Sequence, residues 1–241
     1  MADLIVNGYG AMAELPDLSP FVSKLEAYLR LAGVDYDKRG GDMRVAPRGK
    51  MPYINHGDRV VGDSARIIEH LRDQGVADLD AWLSPGQRAE LHALSSIFEL
   101  ELYFILCTFR WREDAGWATY APHISGAMAN VGVPGFAAGL VTKVVRRSMI
   151  KQLHAQGAGR RPAEENLARV RELFDALDHL VGLHPGPWWF GDQPSSADAI
   201  AHAFVSGLIT RAVATPLHDL LDGRAELRAW YEHADAAVRG A

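Results

Sequence analysis

The periodicity of apolar residues changes near residue 80 and divides this 241-residue chain into two unlike parts. Residues 4 to 75 alternate short β-like runs with helical ones, whereas the chain from Ser84 onward has a helical period throughout. Strands interleaved with helices predict an α/β domain, and an unbroken helical pattern predicts an all-α domain. We therefore predict domains over residues 1–76 and 84–241, joined by a linker within residues 74–82.

The first part predicts the element order β-α-β followed by β-β-α. Strands are expected at residues 4–8, 35–38, 53–55 and 59–61. Gly57-Asp58 separates the last two runs and is typical of a hairpin turn. Phe21, Leu25 and Leu29 recur at every fourth position, so the helix that contains them is expected to present one apolar stripe to the sheet.

The second part predicts a bundle whose longest member starts at Ser84-Pro85-Gly86-Gln87. This tetrapeptide supplies an N-cap serine, a proline at the first helical position and a glutamine at the third, and the helix is expected to run through Arg112. Further helices are expected at residues 134–156, 162–181, 196–214 and 225–238. Between Gly116 and Gly135 the pattern is broken, and no helix boundary is assigned there.

Composition excludes several classes of function. A formal net charge of -5 provides no basic surface for nucleic acid. The single cysteine, Cys107, excludes intramolecular disulfides, CxxC metal sites and a dithiol redox pair, and it suits a reducing cytoplasm. The ten histidines lack HxxxH or HExxH spacing, so no metal site is expected.

No export signal or membrane span is expected. The amino terminus places Asp3 where a signal peptide has basic residues, and its apolar run is short. The longest apolar stretches, residues 97–109 and 131–145, are shorter than a membrane span and contain charged residues. No membrane partner is therefore predicted.

Three short motifs carry the chemistry. Ser19-Pro20 begins a helix after a loop, where a serine hydroxyl and backbone amides can stabilise an anion such as a thiolate. The alternative is that Ser19 only caps its helix. Met51-Pro52 enters a strand after Gly49-Lys50. A cis proline there would turn the Met51 backbone toward an extended peptide ligand, whereas trans is the ordinary state of such a bond.

The third motif, Asp63-Ser64, begins another helix. The hydroxyl and amide of Ser64 can hold a carboxylate, and the Asp63 carboxylate can pair with an amino group, which together match an amino-acid head group. The alternative is that Asp63 only caps its helix.

In order and spacing, these three motifs resemble the glutathione site of glutathione transferases. Met51-Pro52 lies at that family's cis-proline position, and Asp63-Ser64 lies at the pair that binds the γ-glutamyl group. Ser195-Ser196-Ala197-Asp198 resembles the capping box of transferase helical domains. The resemblance implies the glutathione transferase fold, an α/β thioredoxin-like N-terminal domain plus an all-α helical-bundle C-terminal domain.

Within that superfamily, residues 19–24 and the long loop over residues 10–18 look most like the failed-axon-connections and metaxin-like branch and its bacterial relatives. The branch implies a cytoplasmic, homodimeric detoxification enzyme that conjugates glutathione to a small hydrophobic electrophile such as an epoxide. It also permits a non-catalytic interaction protein of metaxin type. A thiol oxidoreductase of glutaredoxin type is a third reading, but Ser19 replaces the cysteine that it needs.

The resemblance also assigns roles to individual residues. Glutathione binding is assigned to Ser19, Lys50, Met51, Pro52, Asp63 and Ser64. Ser19 is the first candidate for stabilising the thiolate, and Tyr9, at the end of the first strand, is the second. The glycyl carboxylate is expected near Arg44, Arg48 or Lys50. Pocket residues for the electrophile are Met12, Leu15, Tyr103, Phe104, Cys107 and Trp111, with core packing as the alternative role.

Overall fold

The computed structural model describes residues 3–240, and its first part is a four-stranded mixed sheet with two helices. The elements are β1 (Leu4–Gly8), α1 (Pro20–Leu31), β2 (Asp37–Gly40), β3 (Tyr53–His56), β4 (Arg59–Gly62) and α2 (Ser64–Asp73). The sheet order is β2-β1-β3-β4, with β1 parallel to β2 and antiparallel to β3. This confirms the predicted element order, while β2 lies two residues later than expected.

The core of this part forms where α1 and α2 cover the sheet. Val6 of β1 pairs with Ile54 of β3, and both side chains are fully buried. On α1, Val22 joins Leu25 and Leu29 in this core. Phe21, which we expected on the same stripe, instead packs edge-on against Phe204 at 5.4 Å, because the helix also covers the helical part of the chain.

The second part is helical throughout. Its elements are α3 (Pro85–Arg112), α4 (Asp114–Asn130), α5 (Gly135–Gln156), α6 (Ala163–Val181), α7 (Ser196–Ile209) and α8 (Ala225–Gly240). The predicted capping box starts α3, where the Gln87 amide donates to Ser84 Oγ at 3.3 Å and the Ser84 amide donates to Gln87 Oε1 at 3.0 Å. The helix widens into π-helical turns at Ile97–Leu102 and Thr108–Arg112.

One helix lies where no boundary was assigned from the sequence, and another ends earlier than predicted. The region without assigned boundaries forms α4, which contains Pro122 and starts so close to α3 that a side chain at Gly116 would meet the Phe109 carbonyl oxygen at 1.9 Å. Helix α7 ends at Ile209 rather than near residue 214. Thr210 leaves the helical conformation, and its hydroxyl accepts the Ala212 amide at 3.2 Å and contacts Glu14.

Helix α3 links the two parts. The Lys24 ammonium of α1 lies 2.6 Å from Glu99 of α3, and the Lys24 side chain is only 4% exposed. By length and composition α3 is also long and apolar enough to cross a membrane, a property that core helices of water-soluble proteins share. The sequence predicted no membrane span because the apolar run at residues 97–109 is short. The helix that contains this run is longer, and its length meets the criterion for a span.

Candidate functional site

A cavity of about 530 Å³ lies between the first part and helices α3, α4 and α5. This volume is in the range of small-molecule sites. Its walls come from the α1 N-terminus, the segment before β3, and the inner faces of the three helices. They comprise Tyr9, Leu18, Ser19, Pro20, Phe21, Gly49, Lys50, Met51, Glu99, Leu100, Tyr103, Phe104, Leu106, Cys107, Arg110, Trp111, Tyr120, Ile124, Ala127, Met128, Val145, Met149 and Gln152.

Ser19 stands in this wall as the N-cap of α1. Its side chain forms no cap hydrogen bond, so the hydroxyl is available to a ligand. The backbone amide of Ser19, in contrast, donates to Asp17 Oδ1 at 2.9 Å, and Pro20 has no amide hydrogen. The free amides that we expected beside the hydroxyl are therefore fewer. Among the first residues of α1, the Phe21 amide lacks an acceptor within residues 3–240.

Asp17 is a site-shaping residue that the sequence reasoning missed. Its second oxygen accepts the amides of Tyr9 and Gly10 at 3.1 and 2.9 Å, so one buried carboxylate ties the end of β1 to the start of α1. Burial raises the pKa of this carboxyl to about 6, although the Lys38 ammonium and these amides act in the opposite direction. The sequence signal for this role is the position of Asp17, two residues before the helix N-cap Ser19.

Tyr9 faces the same cavity from the end of β1. Burial, followed by the nearby Asp17 charge, raises the pKa of its phenol, and a hydrogen bond from the Met51 backbone lowers it. The Met51–Pro52 peptide is cis, as the family resemblance implies. Met51 and Tyr9 therefore lie together in the cavity wall that also contains Ser19, and the Tyr9 phenol is protonated at neutral pH.

The third motif lies directly behind Met51-Pro52. The Asp63 amide donates to the Pro52 carbonyl oxygen at 3.2 Å, which fixes the start of α2 beside the cis bond. Asp63 Oδ1 caps α2 by accepting the Ala65 and Arg66 amides at 3.1 and 3.4 Å. Its other oxygen lies 3.6 Å from Arg48, so the carboxylate is both a cap and part of an exposed ion pair.

Ser64 and Lys50 complete the candidate glutathione residues. The Ser64 side chain is buried at the first position of α2, and no hydrogen bond occupies its hydroxyl within the described residues. Lys50 lies exposed at the rim of the cavity. Pro52, Asp63 and Ser64 adjoin the cavity without lining it.

The four predicted pocket residues of α3 all line the cavity: Tyr103, Phe104, Cys107 and Trp111. The predicted loop residues do not. Met12 and Leu15 pair with each other through backbone hydrogen bonds of 3.1 and 2.9 Å, which turns their side chains into the core, where they are 1% and 5% exposed. Of residues 11–18, only Leu18 reaches the cavity.

Arg110 and Tyr120 are further wall residues that the sequence reasoning missed. Arg110 interrupts an apolar run on α3 one turn after Cys107, and an arginine in that position is a signal that the sequence does contain. Tyr120 lies in α4, where no helix boundary had been assigned. Among residues 3–240, no group of three metal-binding side chains lies together.

Comparison with known proteins gives this geometry a family. The chain matches the family model for the glutathione S-transferase N-terminal domain over residues 20–116 and that for the C-terminal domain over residues 161–233. It is 36% identical over 203 residues to isoprene-epoxide--glutathione S-transferase of Rhodococcus sp. (strain AD45), covering 81% of this chain and 82% of that one. The chain belongs to the glutathione S-transferase family.

Other relatives match the predicted branch. Failed axon connections of Drosophila melanogaster is 29% identical, over 86% of this chain and 51% of that protein, and human metaxin-2 is 23% identical, over 69% and 60%. Among solved structures, the beta-etherase LigF from Sphingobium sp. strain SYK-6 superposes with a TM-score of 0.66 at 18% identity, covering 99% of this chain and 98% of that one. The glutathione transferase fold is thus confirmed.

Proposed function

We propose that this protein conjugates the thiolate of glutathione to a small hydrophobic electrophile such as an epoxide. The observation that carries the proposal is the free Ser19 hydroxyl at a helix N-terminus, facing a cavity whose opposite wall is largely apolar. The 36% identity to a transferase named for isoprene epoxide supports the reaction class.

Each residue near Ser19 has a distinct part in this proposal. The Ser19 hydroxyl and the Phe21 amide stabilise a thiolate at the N-terminus of α1. The Met51 backbone binds the extended peptide. Ser64 receives the γ-glutamyl carboxylate, Asp63 receives its amino group, and Lys50 receives the glycyl carboxylate at the rim. These residues suit glutathione because Ser19 and Ser64 offer unoccupied hydroxyls, and Asp63 and Lys50 offer solvent-exposed charges, where the tripeptide carries polar and charged groups of its own.

Calorimetry and product analysis test the proposal. Glutathione should bind with a dissociation constant between micromolar and millimolar, equivalent to roughly 4–8 kcal/mol, and raise the melting temperature. With isoprene epoxide present, mass spectrometry should show the glutathione adduct forming faster than without protein. A Cys107→Ser variant controls for alkylation of the protein's own thiol.

A non-catalytic interaction protein is the second candidate, because metaxin-2 is among the relatives. Absence of glutathione binding at millimolar concentration would contradict the transferase proposal and favour this one. Glutathione binding without adduct formation across several epoxides, both neutral and carboxylate-bearing, would also contradict catalysis.

Three further proposals remain. A homodimer and a detoxification role rest on the family resemblance, and a cytoplasmic location rests on the single cysteine as well. The division into residues 1–76 and 84–241 rests on the change of apolar periodicity. Light scattering tests the dimer, since a mass near 26.4 kDa would contradict it. Cell fractionation tests the location. Limited proteolysis tests the division, because cleavage should concentrate between the two ranges.

A further inference from the structure

Arg110 is a buried cation in the cavity wall without a carboxylate partner in the part of the chain that the structure describes. Its side chain is 2% exposed, and its Nε has no hydrogen-bond partner. One Nη donates to the Gly207 carbonyl oxygen at 2.5 Å, and the guanidinium also hydrogen-bonds the hydroxyl of Tyr120, with 5.2 Å between the guanidinium carbon and the centre of that ring. These contacts satisfy part of the guanidinium and leave its charge unneutralised.

The contrast with another buried cation shows that this arrangement is unusual within the molecule. Lys24 is as deeply buried as Arg110, and it has Glu99 at 2.6 Å. Removing a charge from water without a counter-ion has a large free-energy cost, which a partner of opposite charge reduces. A counter-ion for Arg110 must therefore come from a titratable neighbour or from a ligand.

The titratable neighbours do not supply that counter-ion at neutral pH. Burial raises the pKa of the Cys107 thiol to about 11 and that of the Tyr120 phenol to about 12, even though Arg110 acts to lower both. The pKa of Tyr103 is also raised, first by the adjacent Cys107 and then by burial. All three groups stay protonated, so the inner end of the cavity, defined by Arg110, Tyr120, Tyr103 and Cys107, combines one positive charge with proton donors.

The remaining charges of the wall do not reverse this polarity. Glu99 is the acidic residue among the lining residues, and Lys24 neutralises it. Lys50 adds a second positive charge, but at the exposed rim. The wall as a whole is therefore complementary to an anion at the inner end and to apolar groups around it.

We propose that the electrophilic substrate is a small apolar molecule that carries a carboxylate, and that the inner end of the cavity binds this carboxylate through the Arg110 charge and the Tyr120 hydroxyl. This assignment of a substrate class rests on the proposed transferase function. Arg110 is then a specificity-determining residue, because an uncharged substrate of the same shape leaves its charge without a counter-ion.

Binding of a matched pair of unreactive probes tests the proposal. Cinnamate and cinnamamide have nearly the same shape and differ in charge, and their binding to the full-length protein is measured by calorimetry without glutathione. The wild-type protein should bind cinnamate at least tenfold more tightly than cinnamamide. Equal affinities would overturn the proposal without reference to any variant.

Three variants locate the preference. Arg110→Met should abolish it, Arg110→Lys should retain part of it, and Lys50→Met, which removes the rim charge, should retain it in full. A preference that survives Arg110→Met, or that disappears in Lys50→Met instead, would overturn the assignment.

Two further measurements keep the outcome clear. If Arg110→Met does not fold, the Arg110 Nε–H resonance of wild-type protein labelled with ¹⁵N-arginine, identified by its loss in Arg110→Lys, should shift with cinnamate and not with cinnamamide; no shift would overturn the proposal. Glutathione binding is measured separately. Its absence would contradict the transferase function while the carboxylate preference is still observed.

Discussion

At the scale of single residues, Ser19 and Asp17 differ in how far their side-chain oxygens are occupied by hydrogen bonds. The Ser19 hydroxyl forms no cap hydrogen bond, whereas both carboxylate oxygens of Asp17 accept hydrogen bonds from nearby backbone amides. The first residue is free to act on a ligand because the second holds its backbone in place. Substitutions at the two positions should therefore have different consequences.

Ser19→Ala should raise the pKa of the bound glutathione thiol by about one to two pH units, the equivalent of a hydrogen bond to a charged group. Conjugation should fall about tenfold or more at neutral pH and much less at high pH, where the thiolate forms without assistance. Thiolate absorbance against pH measures the shift. Tyr9→Phe is the control, and a shift in that variant but not in Ser19→Ala would make Tyr9 the activator.

The Asp17 carboxyl should make stability depend on pH. Its pKa of about 6 in the folded protein lies above the value of 3.8 in an unfolded chain, so the native state binds more protons between pH 4 and 6. Its contribution to stability is complete below pH 4 and is lost as the pH rises through 6, a change of about 3 kcal/mol. Denaturant unfolding of wild type and Asp17→Asn at pH 4 and 7 measures it. A stability difference between the two proteins that is the same at both pH values would contradict this assignment.

The sequence predicts residues at helix starts better than residues in loops. Ser19, Asp63 and Ser64 each stand where a local pattern sets the backbone, and the structure places them there. Met12 and Leu15 belong to a loop that closes on itself, so their direction depends on distant packing that local spacing does not encode. Arg110 was not predicted as a site residue, because apolar periodicity does not show whether a charged residue within an apolar run has a counter-ion in the fold.

At the scale of whole elements, the cap of α2 is the clearest case of one residue with two roles. Asp63 has a positive φ of 78° and caps the helix with one oxygen. Asn is also a good N-cap and tolerates positive φ, so Asp63→Asn should keep the unfolding free energy within about 0.5 kcal/mol. Glutathione affinity should fall by roughly 1.5–3 kcal/mol because the charge is lost. Calorimetry showing unchanged affinity would restrict Asp63 to capping.

Asp198 caps α7 in a more buried setting and should affect stability alone. Its carboxylate accepts the Trp189 amide and the Trp230 indole N–H at 2.8 Å each, as well as the amide and hydroxyl of Ser195. Asp198→Ala leaves these buried donors without an acceptor and should cost about 3 kcal/mol or more. Ser84→Ala, in the exposed capping box of α3, should cost about 1 kcal/mol. Denaturant unfolding compares them; lost activity in a fully stable Asp198→Ala variant would show a functional role.

The sequence predicted a helix correctly wherever a capping motif and the apolar periodicity agreed, as at Ser84-Pro85-Gly86-Gln87. Helix α4 did not follow, because Gly116 and Pro122 are unfavourable inside a helix. The structure shows that Gly116 is required for close contact with α3. Tertiary packing therefore outweighs local helix propensity in α4. Because α4 was not predicted, its residue Tyr120 was not predicted to line the cavity.

At the scale of the whole molecule, the two parts are coupled by packing and by charge across the α1–α3 contact. Phe21 packs against Tyr103 at 4.9 Å, and one turn further along α1 the Lys24 ammonium meets Glu99. Because the cavity lies at this junction, a change that loosens the contact affects both folding and the site. We expect a single cooperative unfolding transition for the whole chain.

The Lys24–Glu99 pair allows that coupling to be measured. Lys24→Met leaves a partly buried carboxylate without its partner and should lower the unfolding free energy by about 2–4 kcal/mol. Glu99→Gln should cost at least as much, because it leaves without a counter-ion the Lys24 ammonium, whose side chain is only 4% exposed. In the double variant no unpaired charge remains, so its loss should be smaller than the sum of the two by at least about 1 kcal/mol. Four denaturant curves complete the cycle, and additivity within about 0.5 kcal/mol would show that the pair contributes no coupling.

Since Glu99 lines the cavity, Lys24→Met should also weaken cinnamate binding more than cinnamamide binding, because it leaves an unneutralised negative charge in the cavity wall.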